Sequence, residues 1–332
     1  MAGIAIVQTA FIGDVVLTTP LFEAARKSNP YDEIIGVVRE SCQNLLQNNP
    51  FVDTIIVWDK HGRDRGFRGM VRVAGKLREH DIHTALIPHR SVRTALTLYF
   101  AGIGTRIGFA KGSGAFLHTV RVLYAQGIHE VERNLMLADA AGWESNGLMP
   151  AIFPDATDCA VVEKVLSGST ACGVLAPGSV WATKIWPQES YIKVGKHFAA
   201  HGVSVVISGS ESDEELCRGV TNGIPGAVNV CGKLTLRQSA ELYRRAAFLL
   251  TGDTAPQHLG AAVGARVFSI FGPTVQRFGF WPYTSRGVVI EENMDCRPCG
   301  VHGHKSCPRG THECMRRITA ERVIEIITRE IQ

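Results

Sequence analysis

A chain of 332 residues is long for one core and suits two domains of ordinary size. Its 45% hydrophobic and 20% charged residues exclude a disordered or fibrous protein, and no stretch reaches the roughly 20 apolar residues that cross a bilayer. The net charge is only +4, and the amino-terminal MAGIAIVQTAFIGD has an early acidic residue and no basic lead, so it reads as a buried strand rather than a signal peptide, and a cytoplasmic protein is expected.

Short β-branched runs alternate with longer amphipathic stretches along the whole chain, the pattern of parallel α/β layers. Residues 3–9 form a continuous apolar run, expected to be a strand buried on both faces. The run breaks at Phe11-Ile12-Gly13, and a helix is expected over 14–27. Further strands are expected at 34–38, 54–57, 84–88 and 106–109, with helices between them. Residues 143–158 hold two prolines and no periodicity and read as a connection between domains. A second series follows, with strands expected at 173–176, 203–208, 227–230, 247–251 and 267–271. Its helices begin near Gln188, Ser212, Thr235 and Ala255. The expected division is therefore 1–150, 159–318, and a last helix within 319–332 that packs back across the junction.

Charge is unevenly placed. Between Lys60 and Arg121 stand twelve lysines and arginines against three carboxylates. Such a stretch is either a solvated basic face or a surface that attracts a polyanion. Within it, HGRDRGFRG at 61–69 reads as a mobile loop able to close over an anion.

In open parallel sheets ligands bind beyond the carboxyl ends of the strands, and three loops there carry chemistry. The first, Thr9-Ala10-Phe11-Ile12-Gly13-Asp14, is not the GxGxxG of dinucleotide sites. Asp14 either caps the helix or takes a proton from an incoming hydroxyl. The second is APGSVWATKIWP at 176–187, where Ser179, Thr183, the Lys184 ammonium and backbone N–H groups can cradle a diphosphate. It could equally be a surface loop packed by its tryptophans, and it lacks the spacing of a Walker A loop. The third is LTGDTAPQHLGAA at 250–262. Asp253 or Thr254 is the expected N-cap, Pro256 suits a first helical turn, and the helix N-terminus can hold phosphate. His258 in that turn could donate to a leaving group, although a lone histidine is more often structural.

At these three places the sequence resembles glycosyltransferase family 9, the lipopolysaccharide heptosyltransferases. The matching stretches are GDVVLTTPLFEAAR at 13–26, PGSVWATKIWP at 177–187 and GDTAPQHLGAAVGARVFSIFGPT at 252–274. The resemblance implies an α/β GT-B fold, two Rossmann-like domains facing each other across a cleft, with acceptor bound by the first and nucleotide sugar by the second. It implies inverting transfer of heptose from ADP-L-glycero-D-manno-heptose to the lipid A-Kdo inner core of lipopolysaccharide. Asp14 then looks like the general base, with Gly13 and Thr18 beside it. Lys184 looks like the diphosphate-binding lysine, with Ser179 and Thr183, while Asp253, Thr254, Ala255 and His258 form the donor loop. Ala255 departs from the glycine common there, so its methyl group narrows the approach to phosphate. A carboxylate among Asp213, Glu214 and Glu215, with Asp213 as candidate, is expected at the donor ribose. The chain contains no Asp-x-Asp, so no cofactor or catalytic metal clamp is expected. The basic stretch would face the phosphorylated inner core, with peripheral contact at the inner face of the inner membrane, and no nucleic-acid partner is expected. Other readings of the same residues are a different donor or acceptor, a nucleotide-sugar epimerase, or a non-catalytic nucleotide-sugar-binding protein.

Of nine cysteines, Cys42, Cys159, Cys172, Cys217 and Cys231 are scattered and expected to be inert. Cys296, Cys299, Cys307 and Cys314 cluster, with His302, His304 and His312 among them. They are numerous enough for a structural zinc ion or iron–sulfur cluster, though their spacing matches no standard zinc ribbon, and reduced thiols or opportunistic disulfides are the other readings.

Overall fold

The computed structural model describes residues 2–60, 62–166, 168 and 171–331. The chain divides into two compact units, 1–153 and 154–332. Among the described residues, no helix is long and apolar enough to cross a membrane.

The first unit runs β1 (Gly3–Val7), α1 (Ile12–Ser28), β2 (Glu33–Val38), α2 (Gln43–Leu46), β3 (Thr54–Val57), α3 (Gly66–Arg78), β4 (Ile82–Ile87), α4 (Val92–Phe100), β5 (Thr105–Phe109), β6 (Val120–Val122) and α5 (Glu130–Ala140). Its six strands lie in the order β3-β2-β1-β4-β5-β6 and every pairing is parallel. β1 is buried along its whole length, as a central strand covered on both faces must be. Pro20 lies inside α1 and cannot donate to the Val16 carbonyl one turn back. The Thr19 hydroxyl donates to that carbonyl instead, at 2.8 Å. The helix therefore continues through its proline.

The second unit runs α6 (Ala156–Leu166), β7 (Cys172–Ala176), α7 (Gln188–Ala200), β8 (Ser204–Ile207), α8 (Glu214–Asn222), β9 (Val228–Asn229), α9 (Leu236–Arg245), β10 (Phe248–Gly252), α10 (Ala255–Ala262), β11 (Val267–Phe271), β12 (Gly287–Glu291), α11 (Glu313–Arg316) and α12 (Ala320–Ile331). The strand order is β12-β11-β10-β7-β8-β9, again all parallel. Its core gathers Leu175, Trp186, Tyr191, Phe248 and Phe268 with Val323 and Ile327 of α12. The Trp186 indole N–H donates to the Ile318 carbonyl at 2.9 Å, which fixes the approach to α12.

Counted within each unit, both sheets have the order 3-2-1-4-5-6 of nucleotide-binding Rossmann sheets. In that topology the chain reverses direction of growth between the first and fourth strands, and the connections diverge to opposite faces there. The switch point is β1/β4 in the first unit and β7/β10 in the second. Of the four edge strands, β3 and β9 fall within strands expected from sequence, while β6, whose arginine is exposed, and β12, mostly half-buried, do not.

Candidate functional site

In the first unit the loops after β1 and β4 meet at the switch point, where Thr9 Oγ1 lies 2.8 Å from His89 Nδ1. Asp14 is the third residue of α1, and its carboxylate accepts the Phe11 N–H at 3.1 Å. It thus closes the helix start while remaining half-buried at the strand ends. Burial pushes its carboxyl from 3.8 up to about 6, against the pull of the Phe11 N–H and the Arg90 guanidinium.

Lys60 is buried at the same edge, and its ammonium donates to the hydroxyls of Thr9 and Thr94 (3.0 Å to the latter) and lies 4.1 Å from the Trp58 ring centre. Burial, with Arg93 and Arg39 nearby, lowers it to about 7. The same burial, with Lys60 and Arg90 nearby, holds His89 at about 4, so it is neutral. Arg90 lies over the Tyr124 ring at 4.3 Å from its centre, and Arg133 at 4.4 Å. Several other members of the basic stretch are structural: Arg72 pairs with the fully buried Asp64 at 2.9 Å, and Arg93 donates to the carbonyls of Lys60 and Asp64.

The expected mobile loop over 61–69 is corrected by the fold. His61 lies outside the described residues. Asp59 accepts the N–H groups of Gly62 and Arg63 at 2.8 Å each, Asp64 accepts that of Asp59, and from Gly66 the chain is helical. Two aspartates turn that segment into an anchored turn.

In the second unit the switch-point loops are joined by an ion pair. Lys184 Nζ lies 2.6 Å from Asp253 Oδ2 and donates to the Asp253 carbonyl at 3.0 Å. Thr274, after β11, donates to the same carboxylate oxygen at 2.7 Å, and Gln257 donates to the other at 2.9 Å. Asp253 therefore accepts three side-chain donors at a nearly closed site. A Cβ at Gly252 would stand 2.9 Å from the Lys184 carbonyl, which accounts for glycine before the aspartate. His258 is buried and held at about 4 chiefly by desolvation, hence neutral. Its Nδ1 and the Gln257 Oε1 are buried without a hydrogen-bond partner in the first turn of α10. Thr254, not Asp253, is the N-cap, with Ala255 first in the helix.

Asp213 lies against Gly178, where a Cβ would come within 2.2 Å of its carboxyl carbon, so the loops after β7 and β8 touch. Its carboxylate accepts the Ser210 N–H at 2.9 Å. Ser179 Oγ accepts the Trp181 N–H at 3.1 Å, shaping the turn toward Lys184.

Two expected ligand-facing hydroxyls turn inward. Thr18 is fully buried and donates to the Asp14 carbonyl at 2.7 Å, and Gly13 beside it is buried within α1. Thr183 is buried and exchanges hydrogen bonds with the His304 backbone at 3.0 and 2.8 Å. The cysteine cluster is likewise corrected. Among the described residues no group of three or more His, Cys, Asp or Glu side chains is arranged to hold a metal ion. The thiols turn to the backbone and core instead: Cys299 to the Cys296 carbonyl at 3.4 Å, Cys307 to the His312 N–H at 3.4 Å, and Cys314 into the buried core. Reading from sequence missed Lys60 as a buried cation and Thr274 as a partner of Asp253. The latter had a signal, a Gly-Pro-Thr directly after a buried strand.

The model of glycosyltransferase family 9 (heptosyltransferase) matches residues 70–308. The chain is 23% identical over 345 residues to lipooligosaccharide heptosyltransferase 2 of Haemophilus ducreyi, covering 97% of each. It is similar in structure to a family 9 glycosyl transferase of Veillonella parvula, with a TM-score of 0.86 and 23% identity over 99% of this chain and 96% of that one. The E. coli ADP-heptose LPS heptosyltransferase II gives a TM-score of 0.82 at 23% identity, covering 99% and 98%. Two parallel Rossmann-like sheets and these neighbours give the GT-B fold. With a family model spanning most of its length, and its charged groups gathered at both switch points, the chain belongs to glycosyltransferase family 9 (heptosyltransferase).

Proposed function

We propose that the protein transfers heptose from ADP-L-glycero-D-manno-heptose onto the inner core of a lipopolysaccharide-type acceptor, with inversion and with Asp14 as general base. The observation that carries this reading is Asp14 itself: a carboxylate at the carboxyl ends of the strands, raised to about 6 by burial with the Arg90 charge nearby. A base poised just below neutral pH is ionised in use and still strong enough to accept a proton. Lys60, Arg90 and their neighbours supply positive potential suited to the acid and phosphate groups of an inner-core acceptor. The heptosyltransferase names of the relatives support the same donor and acceptor.

In the reaction, Asp14 removes the acceptor hydroxyl proton as its oxygen attacks the anomeric carbon. The bond to the diphosphate breaks on the opposite face, and ADP departs with the electron pair. The second unit would hold the nucleotide, with Lys184 and the α10 N-terminus stabilising the departing charge. The unpartnered His258 Nδ1 and Gln257 Oε1 are polar atoms that a donor group could satisfy. His258, being neutral, acts there as a hydrogen-bonding group rather than a charge. Asp213 is assigned to the ribose, and Ser179 to the diphosphate loop. A lipid-linked acceptor places the enzyme at the cytoplasmic face of the inner membrane, in peripheral contact.

The test is ADP release from ADP-heptose with and without heptose-deficient lipopolysaccharide, for the wild type and Asp14→Asn. Acceptor-dependent release that Asp14→Asn abolishes supports the reading. Tight ADP binding with no release on any acceptor sinks it.

A further inference from the structure

The cysteine-bearing segment has an architectural role that its thiols do not explain. All three polar groups of Thr183, the residue before Lys184, are taken by this segment. Its N–H and hydroxyl donate to the His304 carbonyl at 3.1 and 3.0 Å. Its hydroxyl accepts the His304 N–H at 2.8 Å, and its carbonyl lies 2.8 Å from His312 Nε2. Gly303 adopts a φ of +96°, and a Cβ there would meet Thr183 Oγ1 at 3.1 Å, Trp181 Cβ at 3.3 Å and Lys184 Cγ at 3.4 Å. His302 stacks on Trp181, with ring planes 10° apart.

The same segment grips the other half of the Asp253 cluster. The Arg297 guanidinium donates to the carbonyls of Phe271 at 3.1 Å, Thr274 at 2.8 Å, Gly272 and Glu292, and pairs with Glu291 at 2.7 Å. The Cys299 N–H donates to the Pro273 carbonyl at 3.0 Å. One stretch of chain thus fixes the turn that carries Lys184 and the loop that carries Thr274, and these two side chains meet on one oxygen of Asp253. His312 reaches Thr183 from a left-handed backbone, φ 52°, which a residue other than glycine adopts only when its surroundings require it.

We propose that residues 297–312 form the positioning frame of the donor site, with His312 and Arg297 as positioning residues that set the Lys184 ammonium against Asp253. The inference rests on the second unit being the donor site, and its tests separate the two. His312→Leu removes the ring N–H from the Thr183 carbonyl, whereas His312→Gln keeps an N–H donor near the same place. Gly303→Ala disturbs the Lys184 turn without touching any charge.

Acetylation of lysines by limiting acetic anhydride, read by mass spectrometry, needs no ligand. His312→Leu and Gly303→Ala raise labelling of Lys184 several-fold against exposed Lys196, leave buried Lys60 unchanged, and His312→Gln restores most of the protection. Calorimetry with ADP then gives about tenfold weaker binding for His312→Leu, the loss expected when a buried carbonyl is left without its donor. Donor KM rises with it, and acceptor KM does not. If either folded variant leaves Lys184 as protected as in the wild type, or if Lys60 labelling rises in step with Lys184, the frame is refuted. If the wild type binds no ADP while the labelling pattern holds, the donor reading fails and the frame stands.

Discussion

Asp14 makes a quantitative claim about pH. Burial raises its carboxyl to about 6, while the Phe11 N–H and the Arg90 charge pull it down. A base with that value is about 90% ionised at pH 7 and about 10% at pH 5, whereas an ordinary aspartate is still mostly ionised at pH 5. In the proposed role only the ionised form accepts the acceptor proton, so kcat/KM should fall about tenfold between pH 7 and pH 5. Asp14→Asn keeps the shape and removes the base, a loss of about 10²–10⁴-fold. Arg90→Gln removes a charge that favours the carboxylate and should move the acid limb to higher pH. The assay is ADP release across the range at subsaturating acceptor, with circular dichroism confirming the fold at each pH. A profile flat from pH 5 to 7, together with an Asp14→Asn enzyme retaining most of its rate, would refute the assignment.

Further outcomes follow from the buried charges. Asp253→Ala leaves the Lys184 ammonium with a carbonyl as its remaining partner, costing about 3–5 kcal/mol in thermal or denaturant unfolding. Lys184→Ala leaves Asp253 with Thr274 and Gln257 as donors, so it should lower stability less while weakening ADP binding. Lys60 has hydroxyl partners and sits at about 7 against an ordinary 10.5. Lys60→Met should therefore raise stability at pH 7, with loss of affinity for an acidic acceptor as the accompanying readout. His258 sits at about 4 against an ordinary 6.5, so the unfolded chain takes up its proton first. Its contribution is full above pH 6.5 and is lost as pH falls toward 4, and the acid loss of Tm should be shallower in His258→Gln.

The central strands were legible because burial on both faces leaves one pattern, a continuous apolar run, and β1, β7, β10 and β11 all show it. Two of the edge strands carry no such mark: β6 is Val-Arg-Val, with its arginine exposed, and β12 ends in a glutamate that binds Gln276 and Arg297. Candidate site residues that follow strands, Asp14, Lys184 and Asp253, stand out by position and type. Those that act from a distance could not. Thr274 reaches Asp253 across 21 residues, and His312 reaches Thr183 across 129. Cysteine spacing drew attention to the right segment for the wrong reason, because its neighbouring arginine and histidines make the contacts to the site.

The two sheets share one strand order but use the switch point in opposite ways. In the first unit His89 is neutral, and a buried lysine has hydroxyls rather than a carboxylate as its hydrogen-bond partners. In the second unit lysine and aspartate neutralise each other within 2.6 Å. A neutral pair attracts a diphosphate weakly until the anion itself competes for the ammonium. Donor affinity in this chain should therefore depend on how firmly Asp253 is held by Thr274 and Gln257. Removing the competing donor while keeping the fold, as Thr274→Val would by freeing the carboxylate oxygen they share, leaves Lys184 alone on that oxygen and strengthens the pair. ADP binding should then weaken although no positive charge has been lost, and calorimetry showing unchanged or tighter binding would overturn the competition argument.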